Sequence, residues 1–296
     1  MNRRGFLTAV GIGGLGVAGA AFTSCARVSP VTPSPSPVAS LTIGTDGTGP
    51  GDTLSAILVA ALAAKQQPTT VARQRVDTAV AAVAEGSPAI MSLFGWTALQ
   101  SRLAEEEPPA LEDLITSLAS AVAPEVNVLR ATQLDGGVRW ATTPALAASG
   151  VTSLSHVRTK LKGGVVATPS WGLSNTAGVP ALEAAYGVSL PTRQIDDAAA
   201  RRAALDDGSV QLALFRRTDS LELDGLRVLA DPIGIETPDP LVVIVSATLA
   251  EQHPRALLAL GAAMAALTQE AFDDLRGKLA ADPQAAAAWV SAAGLG

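Results

Sequence analysis

Short apolar runs typical of β-strands alternate with helix-forming stretches from Leu41 to the C-terminus, and this alternation constrains the fold more than any other feature. The apolar runs cover residues 41–44, 89–94, 126–131, 165–167, 211–215 and 241–245. Helical patterns lie between them, including one predicted over 71–85 and an alanine-rich one that starts at 247. Such alternation is typical of parallel strands joined by helices that cover the sheet faces. The sequence therefore predicts the α/β class, with parallel-rich sheets flanked by helices.

Composition excludes several classes of function. Hydrophobic residues make up 48% and charged residues 16% of the chain, which is typical of a globular protein. A formal net charge of −6 argues against nucleic acid as a partner. Two histidines and one cysteine do not suffice for a transition-metal cluster, so we expect no metal. The glycine-rich stretch 45–52 lacks a phosphate-binding motif, and Ser170 lacks the GxSxG context, so we expect neither a cofactor nor an enzyme.

The first 24 residues have the pattern of an export signal. Arg3 and Arg4 precede an apolar run, residues 6–22, that is rich in Gly and Ala and free of charge. A basic start, a short apolar middle and small residues before a cut site are typical of secretory signals. The arginine pair resembles a twin-arginine signal, although export by the general secretory route stays open.

The single cysteine, Cys25, follows Thr23 and Ser24 and resembles the lipid-accepting cysteine of a bacterial lipobox. An unrelated buried thiol is the alternative. Residues 27–40 alternate Pro with Ser and small residues, a pattern that predicts an extended, semi-rigid spacer. Residues 25–40 are therefore predicted to be a tether. It would hold an exported body at the outer face of the cytoplasmic membrane through lipid on Cys25.

Polar residues follow the predicted strand ends in four loops. The loops cover residues 45–52, 95–97, 168–171 and 218–219. In open α/β sheets, ligands bind beyond the carboxyl ends of the strands. Six candidate ligand-binding residues lie in these loops, and two further candidates, Asp135 and Asp239, lie outside them. The full set is Thr45, Asp46, Trp96, Thr97, Asp135, Trp171, Thr218 and Asp239.

One stretch, "VVATPSWGLSNTAGVPALEAAYGV", resembles a known family. It is similar to the substrate-binding lipoproteins of ABC importers that take up glycine betaine, choline and related compatible solutes. Further similarity comes from Thr42–Gly44, from the Trp96-Thr97 step, from the stretch 206–245 and from the His253-Pro254 pair. The residues of the quoted stretch that keep the family's order are Ala167, Pro169, Trp171, Gly178, Pro180, Leu182, Tyr186 and Gly187.

The resemblance implies a two-lobed fold of the type II periplasmic-binding-protein kind. Lobe one would comprise residues 41–138 plus 240–296, and lobe two residues 139–239. Two crossings near Gly137 and Asp239 would form the hinge. Closure of two lobes on a solute turns binding into a change of shape that a permease can read.

The family is expected to cage a quaternary ammonium among aromatic rings and to hold a carboxylate with Lys and Arg. Trp96 would supply an apolar wall, while Trp171 would either line the cleft or turn into the core. Asp46 stands where a lysine is usual, and the compared positions leave no cation to meet a carboxylate. Glycine betaine is therefore a poor candidate as the solute.

The remaining candidates favour a cationic or polyhydroxylated solute. Thr45, Thr97 and Thr218 would donate hydrogen bonds, and Asp46 or Asp239 would meet positive charge. Asp135 could act in the same way, and the alternative for each aspartate is a solvated loop carboxylate or helix cap.

These features predict a lipid-anchored solute receptor that delivers a small polar or cationic compound to an ABC permease. The alternative is a relative that has lost solute binding and acts as an envelope scaffold or a docking protein.

Overall fold

The computed structural model describes residues 39–103, 110–129 and 133–296 of the chain. The predicted export signal, Cys25 and nearly all of the predicted tether lie outside these residues. Strands and helices alternate along most of the described chain. The strands are β1 (Leu41–Thr45), β2 (Thr69–Arg73), β3 (Ile90–Phe94), β4 (Val126–Leu129), β5 (Val138–Thr142), β6 (Val166–Thr168), β7 (Thr192–Gln194), β8 (Leu212–Arg216), β9 (Arg227–Val228) and β10 (Leu241–Ser246).

The helices connect these strands and cover both sheets. They are α1 (Gly49–Ala63), α2 (Ala79–Ala84), α3 (Gly95–Leu103), α4 (Leu111–Val122), α5 (Pro144–Ala148), α6 (Leu154–Lys160), α7 (Val179–Tyr186), α8 (Ala198–Asp206), α9 (Ser220–Leu223), α10 (Ala247–Gln252), α11 (Pro254–Ala266), α12 (Gln269–Leu279) and α13 (Ala285–Ala292). Within the described ranges, no helix is both long and apolar enough to cross a membrane.

The strands form two mixed sheets of five, with orders β2-β1-β3-β10-β4 and β7-β6-β8-β5-β9. In the first sheet, β1 pairs in parallel with β2 and β3, while β10 runs antiparallel to β3 and β4. In the second, β6 pairs in parallel with β7 and β8, while β5 runs antiparallel to β8 and β9. The predicted α/β class with two helix-flanked sheets is confirmed. The antiparallel pairs are formed by β10 and β5, and each of these strands directly follows a chain crossing between the two sheets.

Both faces of the first sheet are buried, which explains why β10 is apolar at successive positions. Val243 and Val245 pack on one face in a core that includes residues of α1, α11, α12 and α13. Val242 and Ile244 pack on the other face, against residues of α2, α3 and α4. A strand that is covered on both sides shows a continuous apolar run instead of alternation.

The helix predicted over 71–85 is partly wrong. Residues Thr69–Arg73 form β2, an edge strand whose residues are largely exposed. A short 3-10 turn at Val76–Thr78 and helix α2 follow it. The backbone of β2 pairs in register with β1, and this pairing outweighs a weak local helix preference.

Two chain crossings join the sheets and pair with each other. Asp135 forms an isolated antiparallel bridge with Pro240, and the Gly136 amide donates to the Asp239 carbonyl at 2.8 Å. The Asp135 carboxylate accepts the amides of Gly137 and Asp239, both at 2.8 Å. Asp135 is therefore a brace between the crossings. The division into lobes at residues 138 and 239 stays a prediction.

Candidate functional site

A cleft lies at the carboxyl ends of strands from both sheets. It contains a cavity of about 110 Å³ and a second of about 50 Å³. Both are lined by the start of α1, by the end of β3, by the turn after β6 and by the end of β8. The residues shared by the two linings are Asp46, Thr48, Pro50, Phe94, Trp171 and Arg216.

The side chain of Arg216 lies between two aromatic rings that come from different halves of the molecule. Its guanidinium carbon is 4.0 Å from the centre of the Phe94 ring and 4.1 Å from the centre of the Trp171 ring. Phe94 ends β3 of the first sheet, whereas Trp171 lies in the 3-10 turn Ser170–Leu173 after β6 of the second. A cation between two rings at this distance gains from the negative faces of both.

Hydrogen bonds fix the guanidinium in this position. Nη1 of Arg216 donates to the Gly136 carbonyl at 2.9 Å and to Oδ2 of Asp239 at 3.1 Å. Nη2 donates to Oγ1 of Thr97 at 2.9 Å. The side chain of Arg216 is only 9% exposed. Arg216 therefore connects the end of β8 with a crossing and with the start of α3.

Asp239 is the buried counterion of this arrangement. Its carboxylate also accepts the Trp96 amide at 2.7 Å and the Thr97 hydroxyl at 2.9 Å. Burial raises the pKa of Asp239, while Arg216 and the hydrogen bonds from Thr97 and Trp96 oppose that rise. The sequence predicts that Asp239 meets a positive charge on the solute, whereas its partner in the structure is the protein's own Arg216.

A second buried ion pair lines the larger cavity. Nη2 of Arg201 lies 3.3 Å from Oδ2 of Asp219, which also accepts the Arg216 amide at 2.9 Å. Nη1 of Arg201 donates to the carbonyls of Ile195 and Asp196. Burial raises the pKa of Asp219 and lowers that of Arg201. This pair fixes the start of α8 against the end of β8.

A third pair joins α12 to α9 at the edge of the larger cavity. Arg276 donates to Glu222 at 2.5 Å and to the Thr218 carbonyl at 3.2 Å. Thr218 is fully buried, and its hydroxyl has no hydrogen-bond partner among the described residues. Thr218 belongs to the lining of that cavity, but its side chain is not exposed to it.

The structure separates the predicted site residues into two groups. Asp46, Thr97, Trp171 and Thr218 line the cavities, and Asp239 contacts Arg216 directly behind them. Thr45, Trp96 and Asp135 are not part of either lining. The hydroxyl of Thr45, at the end of β1, donates to Asp52 in the first turn of α1 at 2.8 Å, and Asp135 braces the crossings.

The Trp96 side chain lies in the core and does not form the expected wall of the cleft. It is 1% exposed and belongs to the same core as Leu99 of α3 and Leu114 and Leu118 of α4. Helix α3 starts directly after β3, and its apolar face packs on α4. The ring of Trp96 therefore joins this face, while its backbone amide reaches Asp239.

Arg216, the central residue of the site, is not among the residues predicted from the sequence. The compared family positions carry no cation, but the end of β8 places Arg216 in the cleft. Its partner ring from Phe94 was also missed. Both residues could have been proposed as site residues because each lies at the end of a strand, Phe94 at the end of β3 and Arg216 at the end of β8.

The fold and the cleft define a two-lobed solute-binding protein, with the carboxyl ends of two helix-flanked sheets facing a common cavity. The sequence matches a family described as the substrate binding domain of ABC-type glycine betaine transport systems over residues 39–292. The chain belongs to this family, whose members bind transport substrates. The suspected resemblance is thereby confirmed.

Solved structures show the same fold at low sequence identity. One is described as a glycine betaine/carnitine/choline ABC transporter; it is 15% identical, has a TM-score of 0.65 and matches 86% of this chain and 99% of its own. Another is an ABC-transporter choline binding protein in complex with choline, 15% identical, with a TM-score of 0.61 and coverage of 86% and 88%. A third is apo YehZ from Escherichia coli, 18% identical, with a TM-score of 0.60 and coverage of 88% and 100%. No curated protein matches the chain by sequence.

Proposed function

We propose that this protein is an exported, lipid-anchored receptor of an ABC importer, which binds a small polar or cationic solute between its two lobes. The observation that carries the proposal is the cavity of about 110 Å³ at the strand ends, lined by residues of both sheets. Like the other members of its family, the protein would bind its solute and leave it unchanged.

Carboxylates on the lining of the larger cavity favour a solute that donates hydrogen bonds or carries positive charge. Asp46, Asp196 and Asp197 line it and are exposed. Partial burial raises the pKa of Asp196, but hydrogen bonds from the Ser170 amide and from Gln194 outweigh this effect and leave the pKa lowered. Asp196 is therefore ionised at neutral pH and offers acceptor oxygens to a solute.

A thermal-shift screen of the full chain against polyamines, sugars, amino acids and quaternary amines tests solute binding. A solute at ten times its dissociation constant should raise the melting temperature by about 3 to 6 °C for a domain of this size. Asp196→Asn should weaken the response to a cationic solute. Asp274→Asn, on the exposed side of α12, is the matched control and should leave it unchanged. Absence of a response to every class would contradict solute binding.

Anchoring through Cys25 needs a separate experiment. Cells that express the full chain should incorporate labelled fatty acid into the protein and retain it in the membrane fraction. Cys25→Ser should abolish both, whereas Ser24→Ala should preserve them, because only the thiol accepts lipid. Equal labelling of Cys25→Ser and the original chain would contradict the anchor.

One observation favours the alternative function. Arg216 fills the space between the rings of Phe94 and Trp171, where a cationic solute would be attracted most strongly. A relative that no longer binds solute could keep this closed arrangement and act as an envelope scaffold. Cross-linking in cells distinguishes the two, because a receptor should capture a permease and a scaffold should capture another envelope protein.

A further inference from the structure

We propose that Arg216 is an internal cation that occupies the aromatic site of the cleft and thereby excludes quaternary ammonium solutes. Arg216 would then be a specificity-determining residue of this chain. The inference deepens the proposed function, since it concerns which solutes the same cleft accepts. The exclusion of solutes in the cell rests on the proposed function. The occupation of the aromatic site by Arg216 does not, because it can be tested without knowing the natural solute.

The surroundings of the guanidinium are those that a quaternary ammonium needs. Such a group cannot donate hydrogen bonds, so it is held by aromatic faces and by a nearby negative charge. Here the rings of Phe94 and Trp171 supply two faces at 4.0 and 4.1 Å. The carboxylate of Asp239 supplies the charge at 3.1 Å from Nη1 of Arg216. The guanidinium of Arg216 already contacts both rings and the carboxylate of Asp239.

A free solute competes poorly with this tethered group. The arginine is part of the chain, so it loses little translational freedom on entering the site, whereas a solute loses all of it. Displacement would also break the bonds that Arg216 makes to the Gly136 carbonyl and to Thr97. A quaternary ammonium could replace neither bond. The guanidinium of Arg216 therefore stays in the aromatic site at ordinary solute concentrations.

Truncation of the arginine should convert the occupied site into an open one. Arg216→Ala removes the guanidinium but keeps the backbone amide that donates to Asp219. The space between the rings would then lie beside the Asp239 carboxylate, which would have lost its cation. A small onium ion has the charge and the apolar surface to fill that space.

The test compares the full chain with Arg216→Ala and with Arg139→Ala. Arg139 is the control because it also pairs with a carboxylate, that of Glu236, but belongs to the lining of neither cavity. Each protein is titrated with tetramethylammonium chloride and with sodium chloride at equal ionic strength. We expect tetramethylammonium to raise the melting temperature of Arg216→Ala by about 3 to 6 °C more than sodium does at ten times its dissociation constant. The melting temperatures of the original chain and of Arg139→Ala should not differ between the two salts.

A folded Arg216→Ala without this difference would overturn the inference. A tetramethylammonium-specific rise of the same size in the original chain or in Arg139→Ala would also overturn it. If Arg216→Ala does not fold in sodium chloride, its folding is measured by circular dichroism in tetramethylammonium chloride at equal ionic strength, where the onium ion can replace the missing counterion of Asp239. Recovery of the fold in tetramethylammonium supports the inference, and no recovery overturns it. Adding Trp171→Leu to the responding variant should remove the response.

The two proposals fail separately. If Arg216→Ala binds tetramethylammonium but the original chain binds no solute of any class, the internal cation stands and the receptor function does not. If the original chain binds a polyamine or sugar while Arg216→Ala ignores tetramethylammonium, the receptor function stands and the internal cation does not.

Discussion

Arg216 and Asp239 form a buried ion pair, 3.1 Å from nitrogen to oxygen, at the point where the two sheets of the molecule meet. Arg216 ends a strand of the second sheet, and Asp239 precedes the strand that returns to the first. Thr97, at the start of α3, bonds to both side chains. The pair therefore connects the two halves through charge and hydrogen bonds in a site from which water is largely excluded.

Asp239→Ala should destabilise the protein by about 3–5 kcal/mol, because it leaves the buried guanidinium of Arg216 without a counterion. Urea unfolding followed by circular dichroism measures the effect. Asp77→Ala is the matched control, since Asp77 pairs with Arg75 at an exposed position. Its unfolding midpoint should barely change. Equal effects of the two variants would contradict the structural role of the Arg216–Asp239 pair.

Gly136→Ala should disturb the aromatic site. A Cβ atom at this position would lie 1.9 Å from Cε1 of Phe94, so the ring that contacts Arg216 would have to move. We expect a loss of about 1–3 kcal/mol in the free energy of unfolding. Gly261→Ala in α11 is the control, because its Cβ would meet nothing within 4 Å. That change should stabilise the helix by about 0.5–1 kcal/mol.

Tyr186 is the only tyrosine of the chain, so its ionisation can be followed directly by the ultraviolet absorbance of the phenolate. Burial and the hydrogen bond to Asp231 raise its pKa to about 12. The folded protein therefore retains this proton while the unfolded chain, with a pKa of about 10, releases it. Stability should consequently fall as the pH rises from about 10 to about 12.

Asp231→Asn should move the phenolate transition to lower pH, because it removes a negative acceptor beside the hydroxyl. Tyr186→Phe should remove the part of the alkaline stability loss that belongs to this group. A phenolate midpoint near 10 in the folded protein would contradict the burial of the hydroxyl.

Two buried threonines provide a paired test of the cavity. The Thr142 hydroxyl donates to the Gln211 carbonyl at 2.6 Å, so Thr142→Val should cost about 1–3 kcal/mol of stability. Thr218→Val removes a hydroxyl that bonds to no described residue and should leave stability nearly unchanged. The same variant should weaken solute binding roughly tenfold by calorimetric titration if that hydroxyl meets the solute. A stability loss as large as that of Thr142→Val would show that the Thr218 hydroxyl has a structural partner.

Several parts of the site follow from local sequence. Asp46, Thr97, Trp171 and Thr218 were predicted near the cleft because each follows a strand end, and all four line its cavities. Their roles towards a solute stay predictions. Trp96 was also placed at a strand end, but which way a ring turns depends on the face of α3 that packs on α4.

The sequence by itself determined the α/β class and the family. Both depend on patterns between near neighbours along the chain, such as continuous apolar runs for strands buried on both faces. Only the tertiary structure decided the content of the cleft. Phe94, Trp171, Arg216 and Asp239 are distant along the chain, and no local pattern specifies that a guanidinium will lie between two rings from different sheets. The contacts exist because the two crossings bring the strand ends together, and burial then favours a cation that has both aromatic faces and a carboxylate as partners.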